Sequence, residues 1–230
     1  MTCGALCIFP LDLPAHEVTR LHALLSPAEQ ARAERFLSPL HRNRFAVAHG
    51  RLRGILAARL AVPPDSLQFD SAEHGKPHLA GPESRSGLQF NLSHSADRGL
   101  VGWAEGRHLG VDVELWRPLG DEAALVRRFF SPAENAAYEA LAQTERTRGF
   151  FECWTRKEAY IKAVGRGLGL PLDSFDVSFG AGCEPALLRP SPLVTPDSDR
   201  SWALAAPPSM PGISVAVVLE GDACHVLPSG

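Results

Sequence analysis

Ser131-Pro132-Ala133-Glu134 is a helix start written in four residues, and the same four letters stand 105 positions earlier as Ser26-Pro27-Ala28-Glu29. In such a box the serine hydroxyl caps a free backbone N–H and the glutamate reaches back to the serine N–H. Proline takes the first helical position, where no donor is needed. Two further correspondences keep the same order. Asp65-Ser66 after Pro63-Pro64 is matched 108 positions on by Asp173-Ser174 after Pro171-Leu172, and the apolar run Leu6–Phe9 falls opposite Val111–Glu114 at the 105 offset. Three ordered matches at nearly constant spacing predict two related halves.

At that offset Asp112 and Glu114 fall opposite Cys7 and Phe9, and Glu158 falls opposite Arg53. The halves are therefore expected to differ in chemistry, acidic in one and cationic in the other, with a ligand in the cleft between them. The fold class expected is α/β (α+β): two pseudo-symmetric halves, residues 1–105 and 106–230, each a small, mostly antiparallel sheet packed with helices.

Around the two boxes, residues 5–11 read as a first strand, placed at a sheet edge by Pro10. A helix should run from the first box to about Leu37 and be broken by Ser38-Pro39. A longer helix from about Arg42 to Leu60 should turn Phe45, Leu52, Ile55, Leu56 and Leu60 inward and many of its arginines outward. Leu67–Phe69, Leu88–Leu92 and Leu100–Trp103 read as strands, and Trp202–Leu204 and Ile213–Leu219 as a closing pair. Residues from about 181 to 200, rich in Pro and Ser, read as irregular.

Composition narrows the function classes. The chain has 230 residues, 45% hydrophobic content and a net charge of −3, so a nucleic-acid surface is not indicated. The five cysteines (Cys3, Cys7, Cys153, Cys183, Cys224) are odd in number and contain no CxxC pair, which argues against a disulfide framework or a zinc site and for a reducing cytoplasm. No basic segment opens the chain and Pro10 comes early, so a signal peptide is not expected. No apolar run is long enough to cross a bilayer.

Gly110-Val111-Asp112-Val113-Glu114 alternates as a strand does, placing two carboxylates on one face about 7 Å apart. Their repulsion is about 2–3 kcal/mol at moderate effective dielectric, and a cation between them removes it. Glu158 and Lys162 are one helical turn apart among Trp154, Ala159, Tyr160 and Ile161, in a helix that reads as mostly buried. Three hard oxygen ligands and one cation suit a magnesium–pyrophosphate substrate. Taken singly, each feature also has an ordinary reading: a solvated acidic strand face and a surface ion pair. In Phe90-Asn91-Leu92-Ser93-His94-Ser95 a strand runs into a polar turn able to grip a phosphate, and Gly75-Lys76-Pro77 is a turn with a cation at its tip. Gly165-Arg166-Gly167-Leu168-Gly169 is not a Walker loop, and no Gly-x-Ser-x-Gly elbow occurs.

Together these segments, with Arg128-Phe129-Phe130-Ser131 and Trp154 through Lys157-Glu158 to Lys162, resemble the 4′-phosphopantetheinyl transferases of the surfactin-synthetase-type class. The similarity spans about residues 26 to 179. The resemblance implies two pseudo-symmetric halves with the site between them. It also implies transfer of the 4′-phosphopantetheinyl group of coenzyme A to a serine of an acyl or peptidyl carrier protein, releasing adenosine 3′,5′-bisphosphate. Mg2+, or Mn2+, would be the cofactor. By the same resemblance Asp112, Glu114 and Glu158 would be metal ligands, and Glu158 and Lys162 the catalytic pair. Arg44, Lys76, Ser93, His94 and Lys162 would contact coenzyme A.

Two positions depart from some members of the family: Glu29 stands where they carry lysine, and Phe45 where they carry threonine. The implied partner is an acidic helical carrier domain of fatty acid, polyketide or non-ribosomal peptide synthesis. Arg117, Arg127 and Arg128 beside Leu125, Phe129 and Phe130 form one segment suited to it, while the ordinary reading, favoured for each phenylalanine, is an amphipathic helix with core phenylalanines and solvated arginines. A cytoplasmic monomer is expected, in fatty acid biosynthesis or secondary metabolism. The alternatives are a catalytically lapsed coenzyme A- or nucleotide-binding regulator and a metal-dependent phosphoester hydrolase.

Overall fold

Both capping boxes form. Ser26 and Ser131 each accept the backbone N–H of the glutamate three residues on, and each donates its own N–H to that glutamate's carboxylate, at 2.9 and 2.8 Å. The computed structural model describes residues 4–194, 200–207, 210–221 and 226–228. Cys3 and Cys224 lie outside the described residues. In chain order the elements are β1 (Gly4–Pro10), α1 (Ala15–His22), α2 (Pro27–Glu34), α3 (Pro39–Leu60), β2 (Gln68–Ser71), β3 (Pro77–Ala80), β4 (Leu88–Ser95), β5 (Arg98–Glu105) and β6 (Leu109–Leu115). They continue as α4 (Glu122–Phe129), α5 (Pro132–Glu139), α6 (Arg146–Val164), β7 (Asp176–Val177), β8 (Leu187–Arg189), β9 (Trp202–Ala205), β10 (Ile213–Glu220) and β11 (Val226–Pro228).

Each box glutamate also receives a buried cation from the long helix that follows. Arg53 of α3 donates Nε to Glu29 at 2.7 Å and Nη1 to the carbonyls of Pro64 and Leu67 at 2.8 and 3.0 Å. Lys157 of α6 lies 2.6 Å from the Glu134 carboxylate and donates to the carbonyls of Leu172 and Phe175 at 2.6 and 2.8 Å. In both cases the carbonyls belong to a 3-10 turn (Pro64–Ser66, Leu172–Ser174) or to the residue after it. A phenylalanine ring faces each cation, Phe69 under Arg53 and Phe175 under Lys157. The internal repeat is thus a shared polar device as well as a shared spelling. Its register differs from the sequence reading by one residue: Lys157, not Glu158, is the counterpart of Arg53. Arg53 points inward, unlike the many arginines of its helix expected to face solvent, because the capping box supplies a half-buried anion.

Four strands form one sheet in the order β11-β1-β5-β4, and three form another in the order β6-β10-β9. β2 pairs with β3 and β7 with β8 as separate two-stranded ribbons. α3 packs on the outer face of the first sheet through Val47, Leu52, Leu56, Phe90, Val101 and Trp103. α6 packs on the outer face of the second through Phe151, Tyr160, Ile161, Ala216 and Val218. Between the sheets Leu6, Leu100, Val111, Val113 and Val217 form a third cluster. A Cβ on Gly102 would stand 2.4 Å from Val111, so glycine permits that contact. Strands covered on both faces explain the near-continuous apolar spelling of Leu100–Trp103 and of Val215–Leu219.

Several boundaries differ from the sequence reading. β1 is not an edge strand, since β11 covers Gly4–Leu6 in parallel and β5 pairs along its other side. Pro10 sits beyond the end of that cover. Pro39 opens α3 at its first position instead of breaking a helix, because proline needs no N–H partner there. The Pro- and Ser-rich stretch contains a short strand, β8. Among the described residues, no helix is long and apolar enough to cross a membrane.

Removing one member of a buried ion pair leaves an uncompensated charge, at a cost of about 3–5 kcal/mol. Lys157→Met should therefore lower unfolding stability by about that amount, measured by urea denaturation, and adding Glu134→Gln should recover part of it. Arg53→Met should cost less, because Glu29 is partly exposed and keeps His49 at 3.3 Å.

Candidate active site

β4 and β6 run side by side as the facing edges of the two sheets, joined by side chains. Asn91 Oδ1 accepts the Val111 N–H at 2.8 Å, Ser93 Oγ donates to Asp112 Oδ1 at 2.7 Å, and Ser95 Oγ donates to Glu114 Oε2 at 2.6 Å. Ser95 Oγ also accepts the Leu115 N–H at 3.2 Å. Residues 91, 93 and 95 share one face of β4, while Phe90 and Leu92 pack toward α3 on the other. The period of two therefore builds a polar seam on one side of a strand and core on the other.

α6 lies against the same seam. A Cβ on Gly110 would be 2.1 Å from the Ala159 carbonyl oxygen and 2.2 Å from the Ala163 nitrogen, so only glycine lets the helix backbone come this close. The approach carries Lys162 Nζ to 2.6 Å from Asp112 Oδ1 and 3.1 Å from Ser93 Oγ. Asp112 is 3% exposed. Its Oδ1 takes both Lys162 and Ser93, while its Oδ2 is buried with no partner. A buried carboxylate oxygen without a donor is costly, and such an atom calls for an explanation.

Glu158, half-buried, makes no hydrogen bond or ion pair with the described residues. Burial first, and then the charge of Asp112, push its carboxyl up to about 7, against the opposing pull of Lys162 and with a smaller push from Glu114. Burial likewise holds Asp112 above the usual carboxylate range, outweighing the Lys162 ammonium. Glu114 is fixed by Ser95 and lies 3.4 Å from Arg117 Nη1. Asp112, Glu114 and Glu158 are thus electrostatic neighbours that repel one another. They are not gathered into a closed cage: no group of three ligating side chains among the described residues is arranged to hold an ion. The donor set nevertheless fits a hard divalent cation. All the donors are carboxylate oxygens, one of them is orphaned and buried, and a cation would relieve the raised proton affinity of two.

The remaining predicted residues flank this cluster. His94 stands at the mouth of a cavity of about 370 Å³ lined also by Leu11, Phe36, His41, Phe45 and His49. Desolvation first, and then the Lys162 charge, lower its imidazole pKa. Arg44 borders the same cavity, with its guanidinium held by Asp12 in two bonds of 2.7 Å. Lys76 lies on the other side of Lys162, sharing a cleft with Asn91, Gly165 and Gly167. It donates to the Leu109 carbonyl at 2.7 Å, and desolvation brings its ammonium down to about 8. Ser93 is buried in the seam, its hydroxyl given to Asp112. Sequence reasoning passed over Gly110, Asn91 and Ser95 as positioning residues. The available signal was three small polar residues at period two on a strand whose positions 88, 90 and 92 are apolar.

Residues 14–102 match the N-terminal domain described for 4′-phosphopantetheinyl transferases, and residues 108–208 match the 4′-phosphopantetheinyl transferase superfamily. The 4′-phosphopantetheinyl transferase HetI of Nostoc sp. is 41% identical over 201 residues, which cover 85% of this chain and 84% of that protein. A 4′-phosphopantetheinyl transferase of Bacillus subtilis is 31% identical over 204 residues, covering 84% of this chain and 86% of its own. The 4′-phosphopantetheinyl transferase Sfp of Bacillus subtilis is 31% identical over 166 residues, covering 72% and 71%.

A carboxyl whose folded-state pKa is raised opposes folding once ionised. For Glu158 the penalty is absent below its ordinary value of 4.5 and complete above about 7. Without divalent ions, Glu158→Gln should therefore be more stable than the wild type above neutrality, by about 1–3 kcal/mol, with the difference vanishing in mild acid. Thermal unfolding across that pH range checks this; a pH-independent difference would assign Glu158 an ordinary pKa.

Proposed function

The chain belongs to the 4′-phosphopantetheinyl transferase superfamily, and on that premise we propose that it transfers the 4′-phosphopantetheinyl group of coenzyme A to a serine of an acyl or peptidyl carrier protein. The observation that carries the reading is the buried, half-satisfied carboxylate of Asp112, held between Ser93 and Lys162 with Glu158 alongside.

In the reaction the serine oxygen forms a bond to the pantetheine-side phosphorus, the phosphorus–oxygen bond of the pyrophosphate breaks, and adenosine 3′,5′-bisphosphate leaves. Such a transfer depends on alignment and charge neutralisation more than on covalent participation by the protein. Asp112, Glu114 and Glu158 would hold a Mg2+ or Mn2+ ion, which when bound would supply positive charge to the pyrophosphate. Lys162 contributes a fixed cation beside the developing charge, and its bond to Asp112 keeps the ammonium at the seam. Glu158 takes the serine proton, directly or through a water. A carboxyl near neutrality is matched to that task, although binding an ion would lower its basicity. Gly110 and Ser95 position Lys162 and Glu114.

The halves divide the work in this reading. Residues 1–105 contact the phosphates and nucleotide of coenzyme A through Arg44, Lys76, Ser93 and His94, and residues 106–230 supply the metal site and the catalytic helix. Ser93 acts mainly by orienting Asp112, since its hydroxyl is already donated there. The protein acts as a cytoplasmic monomer on carrier domains of fatty acid, polyketide or peptide synthesis. A lapsed coenzyme A-binding regulator is not favoured, because Asp112, Glu158 and Lys162 all stand in one cluster.

Mixing the chain with coenzyme A, Mg2+ and apo carrier proteins should add the phosphopantetheine mass to the carrier. The absence of any mass shift across fatty-acid, polyketide and peptide-synthetase carriers would overturn the assignment. Asp112→Asn should reduce turnover by about a hundredfold or more while the fold persists. Mg2+ should raise the thermal midpoint of the wild type above neutral pH and leave that of Asp112→Asn unchanged; an equal rise in both would remove Asp112 from the metal site.

A further inference from the structure

One cavity plays no part in the transferase reading. It has a volume of about 160 Å³ and lies between α6, the turn of residues 180–185 and the first residues of β10. Arg148, Glu152 and Arg156 line it from α6, at i, i+4 and i+8 on one helical face. Ser214 lines it from β10. Ala216 and Val218 of that strand pack on α6, and the period of two turns the Ser214 side chain toward the helix as well.

Arg156 is 6% exposed, yet it makes no ion pair with the described residues. Its Nη1 donates to the Ser178 carbonyl, while Nε and Nη2 find no acceptor among the described residues. Glu152 does not serve them, because one carboxylate oxygen takes Arg148 Nε and the other the Gly180 N–H, each at 2.8 Å. Desolvation lowers the Arg156 pKa, and the Glu152 charge is the next influence and opposes it. Ser214, also 6% exposed, accepts the Trp116 indole N–H at 2.8 Å. Its own hydroxyl proton has no acceptor among the described residues. A buried guanidinium without a counter-charge and a buried hydroxyl without an acceptor are both costly, and one anion satisfies both.

The lining also selects the class of anion. Two arginines and one glutamate leave one positive charge in excess. A monoanion cancels it, whereas a dianion such as phosphate would set its second charge against Glu152. The Nε–Nη2 edge of a guanidinium presents two parallel N–H groups, which a planar carboxylate accepts in a fork. Pro185, Ala206 and Pro207 give a short hydrocarbon tail an apolar wall.

We propose that this cavity binds a small monocarboxylate, held by the free edge of the Arg156 guanidinium and by the Ser214 hydroxyl. The site goes beyond the transferase reading and needs neither coenzyme A, a carrier protein nor a divalent ion. Ser214 is the register partner of Glu114, so the occupant lies one strand from the acidic cluster.

Cys183, exposed and part of the same lining, supplies the test. Its thiolate displaces iodide from iodoacetate, which carries a carboxylate, and from iodoacetamide, which does not. The ratio of the two rates cancels the reactivity of the thiol itself. In the full chain with a chelator present, followed by peptide mass mapping, that ratio at Cys183 should fall about tenfold in Arg156→Met and also fall in Ser214→Ala. Acetate at constant ionic strength should slow the iodoacetate reaction and raise the thermal midpoint of the wild type but not of Ser214→Ala. A rate ratio unchanged in the two variants overturns the proposal, and Ser214→Ala decides alone where Arg156→Met does not fold. A midpoint raised equally by chloride overturns it in favour of general screening. Protection by inorganic phosphate at lower concentration than acetate overturns it in favour of a phosphate site. A response to acetate that saturating coenzyme A abolishes overturns it in favour of the cavity bearing His94.

Discussion

A buried cation neutralised by a capping-box carboxylate and held by two turn carbonyls sets the geometry of each half. In the second half Lys157 is fully enclosed, and its ammonium is divided between Glu134 and two carbonyls of the following turn. That contact fixes the rotation of α6. Successive helical residues turn by about 100°, so Glu158 must leave the helix in another direction, and Lys162 follows it one turn later on the same face. The structural lysine thus aims the functional pair at β6. In the first half Arg53 anchors α3 in the same way, but the next position is Gly54 and the one a turn beyond it is Ala58. The scaffold is repeated and the acid–lysine chemistry is not.

The site exists because two sheets meet edge to edge at a seam too polar to be core and too enclosed to be surface. Gly110 draws α6 onto the strand, and Asn91, Ser93 and Ser95 tie β4 to β6. The result is three mutually repelling carboxylates with one cation among them and an oxygen of Asp112 left without a donor. Burial and like charge both raise the proton affinity of Glu158. An arrangement this unfavourable by itself would be stabilised by a ligand of positive charge, and it sits between a cavity bearing His94 and a cleft bearing Lys76.

Much of this was legible in local patterns. The capping boxes announced the repeat, the alternation of Gly110–Glu114 put valines inward and acids on the other face, and Glu158 and Lys162 stood at helical spacing. The failures share one cause, which is that partners distant in sequence changed the environment of a residue. The burial of Arg53 was not legible, because nothing nearby signals the glutamate 24 residues earlier. Phe129 and Phe130 were read either as a carrier contact or as core, and the aromatic side chains of α6 decide for core, with Phe130 buried and Phe129 half-buried. Pro10 suggested an edge, and β11 covers the Gly4–Leu6 part of that strand while leaving Pro10 beyond its end.

The amino-acid sequence by itself determined the two-half plan, the elements and the acid and lysine spacing, because caps, proline positions and side-chain periodicity act over a few residues. Only the tertiary structure decided that Asp112 meets Lys162 directly with Ser93 bound to both, that Gly110 permits that meeting and that Leu37 stays in water. Those outcomes depend on the distance of approach between a strand and a helix and between two sheet edges. Such distances are set by the packing of the whole chain and not by any segment of it.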